Sequence, residues 1–286
     1  MAIYSMSVSV TQRSKGQSSV ASAAYISGGS FRDKRTGEKH AYARHDVIDL
    51  GTTLPGGKSV ETAQLWNDAE AADKRMNSRT SRKFVLALPN ELPKSDHTAL
   101  VKDFRSFLQK EYGAAVTACL HYDRDGNPHA HLQMTTREWS DQGAGPKIRN
   151  LDGSHSQRKE AAESMRSTWA DLMNSRLIPA GHQPVDHRSY KRQGVDRVAT
   201  KHLGAAAAAL EARGVSTEIG EFNRAALAVN SAQAEAKSVE AEQPSLKDRV
   251  EAGKKKGVFG QKRKLSFGNN SNFNKPGGYK PSGPTM

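Results

Sequence analysis

The segment His121-Tyr122-Asp123-Arg124-Asp125-Gly126-Asn127-Pro128-His129-Ala130-His131 decides the fold, because strand-like sequence flanks it on both sides. Side chains alternate between the two faces of a strand, so His129 and His131 point to the same face. The Asp-Gly and Asn-Pro pairs favour a tight reversal, which brings His121 on the preceding strand beside them. The segment therefore predicts a β-hairpin with three imidazoles on one face.

Three neighbouring imidazoles suit one divalent metal ion. Neutral imidazole binds zinc, manganese, nickel or iron, and three protein ligands leave positions open for water or a substrate oxygen. Such a site is typical of catalysis rather than of structural metal binding. Two alternatives stay open at this point: the histidines are half-buried polar residues, or they contact phosphates without a metal.

The other periodicities predict an α+β domain. The pattern indicates a first strand over residues 3–10, helices over 20–26, 61–75, 94–112 and 156–177, and a strand over 83–88. Residues 30–60 are polar and glycine-bearing, so we expect them to be mostly irregular. Because the elements lack a β-α-β rhythm, we expect a mainly antiparallel central sheet with helices covering one face.

The sequence divides into three parts by composition. Residues 1–204 form the main domain, and residues 205–243 are an alanine-rich helical extension that is interrupted near Gly214. Residues 244–286 are rich in Gly, Asn, Lys, Ser and Pro, a composition that predicts a disordered basic tail.

The charge indicates a polyanionic partner. The chain of 286 residues has a formal charge of +13, and residues 254–286 carry eight cations and no acid, which leaves +5 for residues 1–253. Such a balance attracts nucleic acid, and anionic membrane surfaces more weakly. Spaced aromatic residues in the tail are suited to stacking on single-stranded bases, although a solubilising tail is the alternative.

Cysteine usage and the first residues indicate the compartment. The single cysteine, Cys119, excludes an intramolecular disulfide framework and is expected to be an inert core residue. We see no signal peptide at the start and no apolar stretch long enough to span a membrane, so we expect a cytoplasmic protein without membrane insertion.

Tyr25 is a candidate nucleophile. It ends a helix rich in serine and alanine and precedes the pair Gly28-Gly29, which lets another backbone approach closely. Aromatic side chains at such positions are mostly used for packing, so the position alone favours a core residue.

Several motifs together resemble the MobA/MobL (MobQ-type) family of plasmid mobilisation relaxases, which are HUH endonucleases. The matching motifs, in chain order, are Met1-Ala2-Ile3-Tyr4, Ser22-Ala23-Ala24-Tyr25, Ala87-Leu88-Pro89-Asn90-Glu91-Leu92, Asn127-Pro128-His129-Ala130-His131-Leu132, Thr135-Thr136-Arg137, Asp186-His187-Arg188-Ser189, Gln193-Gly194 and His202-Leu203-Gly204. They span nearly all of residues 1–224, and the tail lies outside the resemblance.

The resemblance implies that residues 1–204 form a relaxase domain. Such a domain nicks one strand at a plasmid origin of transfer, and the nucleophile would by position be Tyr25, which stays joined to the 5′ phosphate. The family's metal ligands would map onto His121, His129 and His131, with magnesium or manganese expected first and zinc or nickel as alternatives. The free 3′ hydroxyl would later attack the phosphotyrosine and rejoin the strand.

One departure from the family concerns the general base. Relatives often carry a glutamate just before the Ala-Leu-Pro element, whereas this chain has Arg82-Lys83-Phe84-Val85 there. Glu70, Asp73 and Asp186 are possible substitutes. Asp186 or His187 is also expected to accept the N–H of a ligating imidazole, since ligating histidines normally donate their other N–H to a neighbouring group.

The resemblance also suggests which residues bind DNA and which partners the protein has. The candidate DNA-binding cations flank the motifs and are Arg13, Lys15, Arg79, Arg82, Arg137, Arg188 and Lys191. The expected partners are single-stranded and supercoiled plasmid DNA at the origin, accessory DNA-processing proteins and a type IV secretion coupling protein. The protein would act in the bacterial cytoplasm and be translocated to a recipient cell with the DNA.

Two other functions stay open. A replication initiator or transposase of the same superfamily would use the same tyrosine and histidines, and the motif match favours mobilisation over it. A DNA-binding module that kept the fold and lost activity would explain the missing glutamate, but intact Tyr25 and the three histidines argue against it.

Overall fold

A seven-stranded antiparallel sheet forms the centre of the protein, which confirms the predicted α+β class. The computed structural model describes residues 3–43, 46–122 and 127–242. Within these residues the strands β1 to β9 run, in chain order, over Met6–Gln12, Ser30–Arg32, Lys39–Ala41, Val47–Thr53, Ser59–Val60, Arg79–Ala87, Ala114–Tyr122, Pro128–Ser140 and Gly143–Lys147.

The predicted histidine hairpin is confirmed as the pair β7 and β8. The strand order is β1-β6-β8-β7-β4-β5, with β9 paired to the far end of β8. His121 lies directly opposite His129, and Cys119 lies opposite His131. The reversal at residues 123–126 lies outside the described residues. The hairpin therefore occupies the middle of the sheet, where neighbours on both sides hold its register.

The expectation that residues 30–60 are irregular is wrong. This region contains β2 and β3, which form a separate two-stranded sheet, and β4 and β5, which extend the main sheet beside β7. β4 contains a bulge between Asp49 and Thr52, where Gly51 adopts a φ of +68°. A glycine that is typical of loops thus lies inside a strand, because a bulge accepts a positive φ.

Helices pack against both faces of the sheet, which corrects the expectation that they cover one face. The helices α1 to α7 run over Ser19–Ser27, Thr62–Ala72, Lys94–Tyr112, His155–Leu177, Tyr190–Gln193, Gly204–Glu211 and Glu218–Glu242. α3 and α4 pack with the larger apolar cluster, which includes Phe84, Phe104 and Trp169. α1 and α2 pack with a smaller cluster around Trp66. The predicted helices are confirmed to within a few residues.

The chain separates into the compact units Met1–Val195 and Asp196–Met286. In the second unit, Glu211 accepts hydrogen bonds from the backbone N–H and the hydroxyl of Thr217, which joins the end of α6 to the start of α7. The interruption predicted near Gly214 is therefore confirmed. The expected disordered tail, 244–286, lies outside the described residues, and the division at residue 204 stays a prediction.

None of the helices within the described ranges combines the length and the apolar character needed to cross a membrane.

Candidate metal and nucleophile site

The three histidines converge on the sheet face that α1 covers. One nitrogen of each imidazole lies within 4.8 Å of a nitrogen of the other two. The ring centroids are 4.4 Å apart for His121 and His131, 5.0 Å for His129 and His131, and 5.3 Å for His121 and His129. His121 is buried and the other two are half-buried, so the cluster opens to solvent on one side.

Backbone carbonyls orient two of the imidazoles. His121 Nε2 lies 2.7 Å from the carbonyl oxygen of Ile26, and His129 Nδ1 lies 2.9 Å from that of Asn127. A carbonyl oxygen only accepts, so each of these nitrogens carries a proton. The other nitrogen, Nδ1 of His121 or Nε2 of His129, is then the one through which that imidazole would ligate a metal ion. The sequence pattern did not reveal either carbonyl.

Tyr25 lies beside the histidines. Its ring is edge-on to His131, with centroids 6.3 Å apart, and edge-on to Tyr42, with centroids 5.5 Å apart. The side chain is 41% exposed, although it stands on a helix that is otherwise largely buried. α1 therefore carries the phenol at Tyr25 and, one residue later, the carbonyl that orients His121.

Hydrogen bonds hold the start of α1 on the sheet, in addition to its apolar contacts with the smaller cluster. The buried Glu70 carboxylate accepts from the backbone N–H of Ser19 at 2.8 Å and from Thr80 Oγ1 at 3.0 Å. Gln133 Nε2 donates to the Ser19 carbonyl at 2.9 Å from the same strand that carries His129 and His131. Ser18 caps the helix by accepting from two backbone N–H groups. These contacts fix the start of α1 and thereby the position of Tyr25.

The two acids considered as bases near α1 are engaged elsewhere. Glu70 also pairs with Arg13, whose Nη2 lies 2.8 Å away, and both side chains are almost fully buried. Asp73 pairs with Arg137 at 2.9 Å and with Lys147 at 2.6 Å. Each carboxylate thus has a structural cation, and a role of either as the base for Tyr25 stays a prediction.

Asp186 and His187 lie on the other side of the sheet, with α4. His187 Nε2 is 3.0 Å from Glu163 Oε1 on α4, and Asp186 pairs with Arg188 at 2.7 Å. The adjacent Val185 belongs to the larger apolar cluster. The motif that contains them fastens the chain after α4, whereas the backbone carbonyls of Ile26 and Asn127 perform the orienting role expected of Asp186 or His187.

Cys119 is confirmed as a buried thiol with a structural contact. Its Sγ donates to Asp49 Oδ1 at 3.3 Å. Burial, and then the neighbouring Asp49 carboxylate, raise the pKa of the Cys119 thiol well above its usual range. The thiol therefore stays protonated although it lies opposite His131.

A groove beside Tyr25 separates α1 from the β2–β3 hairpin. It has a volume of about 290 Å³, and we call it the α1 groove. Its walls include Gln17, Tyr25, Arg35, His40, Tyr42 and Lys83. Sequence reasoning did not single out His40, Tyr42 or Lys83 as site residues. Strand alternation could have found Lys83, because it points to the same face as His131 from the neighbouring strand β6.

The structure divides the seven candidate DNA-binding cations. Arg13 and Arg82 are engaged inside the protein: Arg13 with Glu70, and Arg82 with Asp152 and the Leu151 carbonyl. Lys15 is exposed next to the α1 groove, whereas Arg188 and Lys191 are exposed on the segment that follows α4.

Arg79 and Arg137 line a second, larger groove of about 1170 Å³ at the far end of β6 and β8. Lys74, Arg75, Lys147 and Arg149 line it as well, opposed by Asp73 and Asp152. Arg137 follows His129 on β8 by roughly 25 Å at the usual rise of about 3.3 Å per residue. This basic groove is therefore separate from the histidine cluster.

Known proteins with similar sequences include mobilisation proteins. The sequence profile of the MobA/MobL family matches residues 17–213. Mobilization protein MobL of Acidithiobacillus ferridurans is 33% identical over 244 residues, which cover 74% of this chain and 65% of that protein. Probable mobilization protein MobA of Bifidobacterium longum is 32% identical over 268 residues, which cover 78% of this chain and 47% of that protein.

A solved structure is also similar, one described as "Molecular Basis of Vancomycin Resistance Transfer in Staphylococcus aureus". It superposes with a TM-score of 0.58 and 26% identity and covers 66% of this chain and all of that chain. Fold and site together define a protein with a three-histidine cluster beside an exposed tyrosine on an antiparallel sheet. The chain belongs to the MobA/MobL family. It spans 65% and 47% of the two curated relatives named above.

Proposed function

We propose that this protein is a relaxase that nicks one strand of DNA at a plasmid origin of transfer and later rejoins it. The observation that carries the proposal is the meeting of Tyr25 with His121, His129 and His131 on one face of the sheet. These residues come from three segments of the chain. Membership of the MobA/MobL family supports the same conclusion.

The reaction is a transesterification at phosphorus. The Tyr25 oxygen attacks the scissile phosphate, a bond forms between them, and the bond to the 3′ oxygen of the preceding nucleotide breaks. The leaving oxygen takes up a proton and becomes the free 3′ hydroxyl, while the 5′ phosphate stays on Tyr25. The attacking phenol gives up its proton, and because Tyr25 is 41% exposed, water reaches it to accept that proton.

The reverse reaction rejoins the strand. The 3′ hydroxyl attacks the phosphotyrosine, and the phenol oxygen leaves. One phosphodiester bond is exchanged for another in each direction, so no nucleotide triphosphate is consumed. What the protein must supply is position, and the hydrogen bonds at the start of α1 provide it for Tyr25.

The three imidazoles fit a divalent metal ion, since one nitrogen of each lies within 4.8 Å of a nitrogen of the other two. Such an ion would withdraw charge from the non-bridging phosphate oxygens. Magnesium and manganese are the ions expected from the family. Zinc and nickel also suit an all-imidazole donor set, because magnesium prefers oxygen ligands.

The wider setting follows from the same proposal. The substrates would be single-stranded and supercoiled plasmid DNA, and the partners would be accessory DNA-processing proteins and a type IV secretion coupling protein. The protein would act in the bacterial cytoplasm and enter the recipient cell with its DNA. The basic tail would assist either DNA binding or delivery.

The experiment is to incubate the purified full chain with supercoiled or single-stranded DNA that carries a candidate origin, with manganese, magnesium or a chelator. We expect a protein–DNA adduct that resists denaturation and requires a metal. It should vanish in Tyr25→Phe and in His131→Ala, and persist in the matched control Tyr190→Phe. A chain that binds the DNA but forms no adduct would favour the inactive DNA-binding module instead.

A further inference from the structure

The α1 groove has the chemistry of a nucleotide site. Among the described residues, no hydrogen bond or ion pair engages the ammonium group of Lys83, although the side chain is half-buried in the groove wall. An ammonium group on a groove wall with no anion beside it is a natural partner for a phosphate.

A second polar group in the groove lacks a hydrogen-bond partner among the described residues. The buried Nε2 of His40 has no hydrogen-bond partner within the described residues, and the nearest acid, Glu38, lies 3.8 Å from it. The Glu38 side chain is 69% exposed and reaches solvent. Arg35 adds a further cation at 36% exposure, shared with Asp33 at 3.7 Å and Glu70 at 3.6 Å. Positive and donor groups therefore predominate on these walls.

An aromatic wall completes the groove. The Tyr42 ring is 38% exposed and stands at 87° to the Tyr25 ring. An exposed ring beside cations is the arrangement on which single-stranded nucleic acids stack their bases. The volume of about 290 Å³ lies at the lower end of the range for small-ligand sites and suits one nucleotide rather than a duplex.

The α1 groove lies next to the histidine cluster. Lys83 lies two residues before Val85, and Val85 is opposite His131 on the neighbouring strand. Tyr25 stands between the histidine cluster and the groove, touching His131 and lining the groove wall. A strand whose scissile phosphate sits at Tyr25 would therefore enter the groove with its next nucleotide.

We propose that the α1 groove binds the nucleotide adjoining the scissile phosphate, with Lys83 and His40 contacting its phosphate and Tyr42 stacking on its base. Lys83 is thus a ligand-binding residue that lies on β6, two residues before the position opposite His131. The proposal rests on the proposed nicking function for the identity of the ligand, since it takes the ligand to be single-stranded DNA.

The test measures binding without cleavage. The full chain is titrated in chelator with a fluorescent oligodeoxythymidine of about eight nucleotides, a length within the usual range for single-strand sites, at several salt concentrations. We expect Lys83→Ala to weaken binding about three- to tenfold and to reduce the slope of log affinity against log salt by about 0.7, the value for one lost phosphate contact on a single strand.

Matched variants separate a specific contact from loss of charge. Lys83→Arg should restore affinity to within about twofold, because it keeps the charge. Lys102→Ala removes an equal charge from an exposed position on α3 and should change neither affinity nor slope. Tyr42→Ala should weaken binding about tenfold, whereas Tyr42→Phe keeps the ring and should stay within about twofold. Equal urea midpoints would show that the variants fold.

Photo-cross-linking locates the ligand. An oligonucleotide containing 5-iododeoxyuridine should label the peptide that carries Tyr42, and Lys83→Ala should reduce the yield. The proposal is overturned if Lys83→Ala binds like Lys102→Ala, or if every cross-link falls outside the α1 groove. If either of these outcomes were found while the parent chain still formed an adduct at the origin, the nicking function would be retained and the groove would be rejected as a nucleotide site. If Lys83→Ala lost binding and the parent chain formed no adduct at the origin, the groove would be retained as a nucleotide site and the nicking function would be rejected.

Discussion

The two faces of the central sheet are built from the same strands but from different chemistry. On the face toward α3 and α4, β6 to β8 present Phe84, Leu86, Leu120 and Leu132, all essentially buried. On the face toward α1, the alternate positions present Lys83, Gln133 and the three histidines. The first face supplies most of the apolar burial, which is nondirectional, and the second adds polar contacts, which fix atoms in place, to a smaller apolar cluster.

The difference indicates how stability and chemistry are divided in this fold. An apolar cluster tolerates small shifts, but a site that needs the phenol of Tyr25 beside His131 does not. The Ser19 backbone N–H donates to Glu70 and the Ser19 carbonyl accepts from Gln133, and these hydrogen bonds place α1 on the face that carries the histidines. We therefore expect substitutions on the α3 face to lower the free energy of unfolding, and those on the α1 face to lower activity more than stability.

The largest effect is expected from Phe104→Ala on the apolar face. Phe104 is fully buried between Phe84 and Trp169, with ring centroids 6.1 Å and 5.4 Å away. Removing the ring leaves a cavity and should lower the free energy of unfolding by about 3–5 kcal/mol. Urea denaturation measures this, and the nicking rate per folded molecule should stay unchanged.

A matched control is Ile178→Ala, whose side chain is 58% exposed, and it should stay within about 0.5 kcal/mol of the parent. If Phe104→Ala were as stable as this control, the assignment of stability to the α3 face would be wrong.

Metal binding should stabilise the polar face. At a free manganese concentration of about one hundred times the dissociation constant, the stabilisation is about 2.7 kcal/mol. This corresponds to a rise of roughly 5–11 °C in Tm for a domain of this size. A thermal scan with and without manganese measures the shift. His131→Ala should abolish it, while His155→Ala, an exposed histidine on α4, should retain it. An equal shift in both variants would place the metal elsewhere.

Local periodicity predicted most of the helices and the histidine hairpin, because each of these elements carries its own pattern. It missed β4, whose bulge at Gly51 interrupts the alternation. The expectation that Asp186 or His187 lies near the histidines came from the family resemblance, whereas the structure places both residues with α4. Contacts between distant segments, such as the Ile26 carbonyl with His121, follow from the fold, and no local pattern in the sequence predicts them.

A smaller effect is expected from Glu70→Gln, which weakens the hydrogen bonds that Glu70 accepts at the start of α1. The substitution leaves the buried Arg13 without its carboxylate partner and should cost about 1–3 kcal/mol. The rate of adduct formation per folded molecule should also fall, because the start of α1 is less firmly held. Urea denaturation and single-turnover nicking measure the two effects.

The control for this prediction is Glu160→Gln, since Glu160 is exposed on α4 and contacts only Ser156 among the hydrogen bonds of the described residues. It should change neither quantity. If Glu70→Gln lowered stability but left the nicking rate unchanged, the hydrogen bonds of Glu70 would stabilise the fold but would not position Tyr25.

The smallest effect concerns acid stability on the α4 side. Hydrogen bonds from Arg192 and His187 lower the pKa of Glu163 from 4.5 to about 2. The pKa of Glu163 is lower in the folded state than in the unfolded state. The contribution of this carboxylate to the free energy of unfolding is therefore fully present above about pH 4.5 and is lost as the pH falls toward 2. The carboxylate is 38% exposed, so solvent screening limits the effect to about 0.5 kcal/mol. Urea midpoints of the parent and Glu163→Gln should converge near pH 2, and a constant gap would contradict the pairing.

The most direct test of the central claim is to identify the residue that carries the DNA. The adduct is trimmed with nuclease, digested with trypsin and analysed by mass spectrometry. Tyr25 falls in the tryptic peptide of residues 16–32, and Tyr42 falls in that of residues 40–44. We predict a nucleotide joined through its 5′ phosphate to the peptide of residues 16–32. Attachment to residues 40–44 or to any other peptide would contradict the assignment of Tyr25 as the nucleophile.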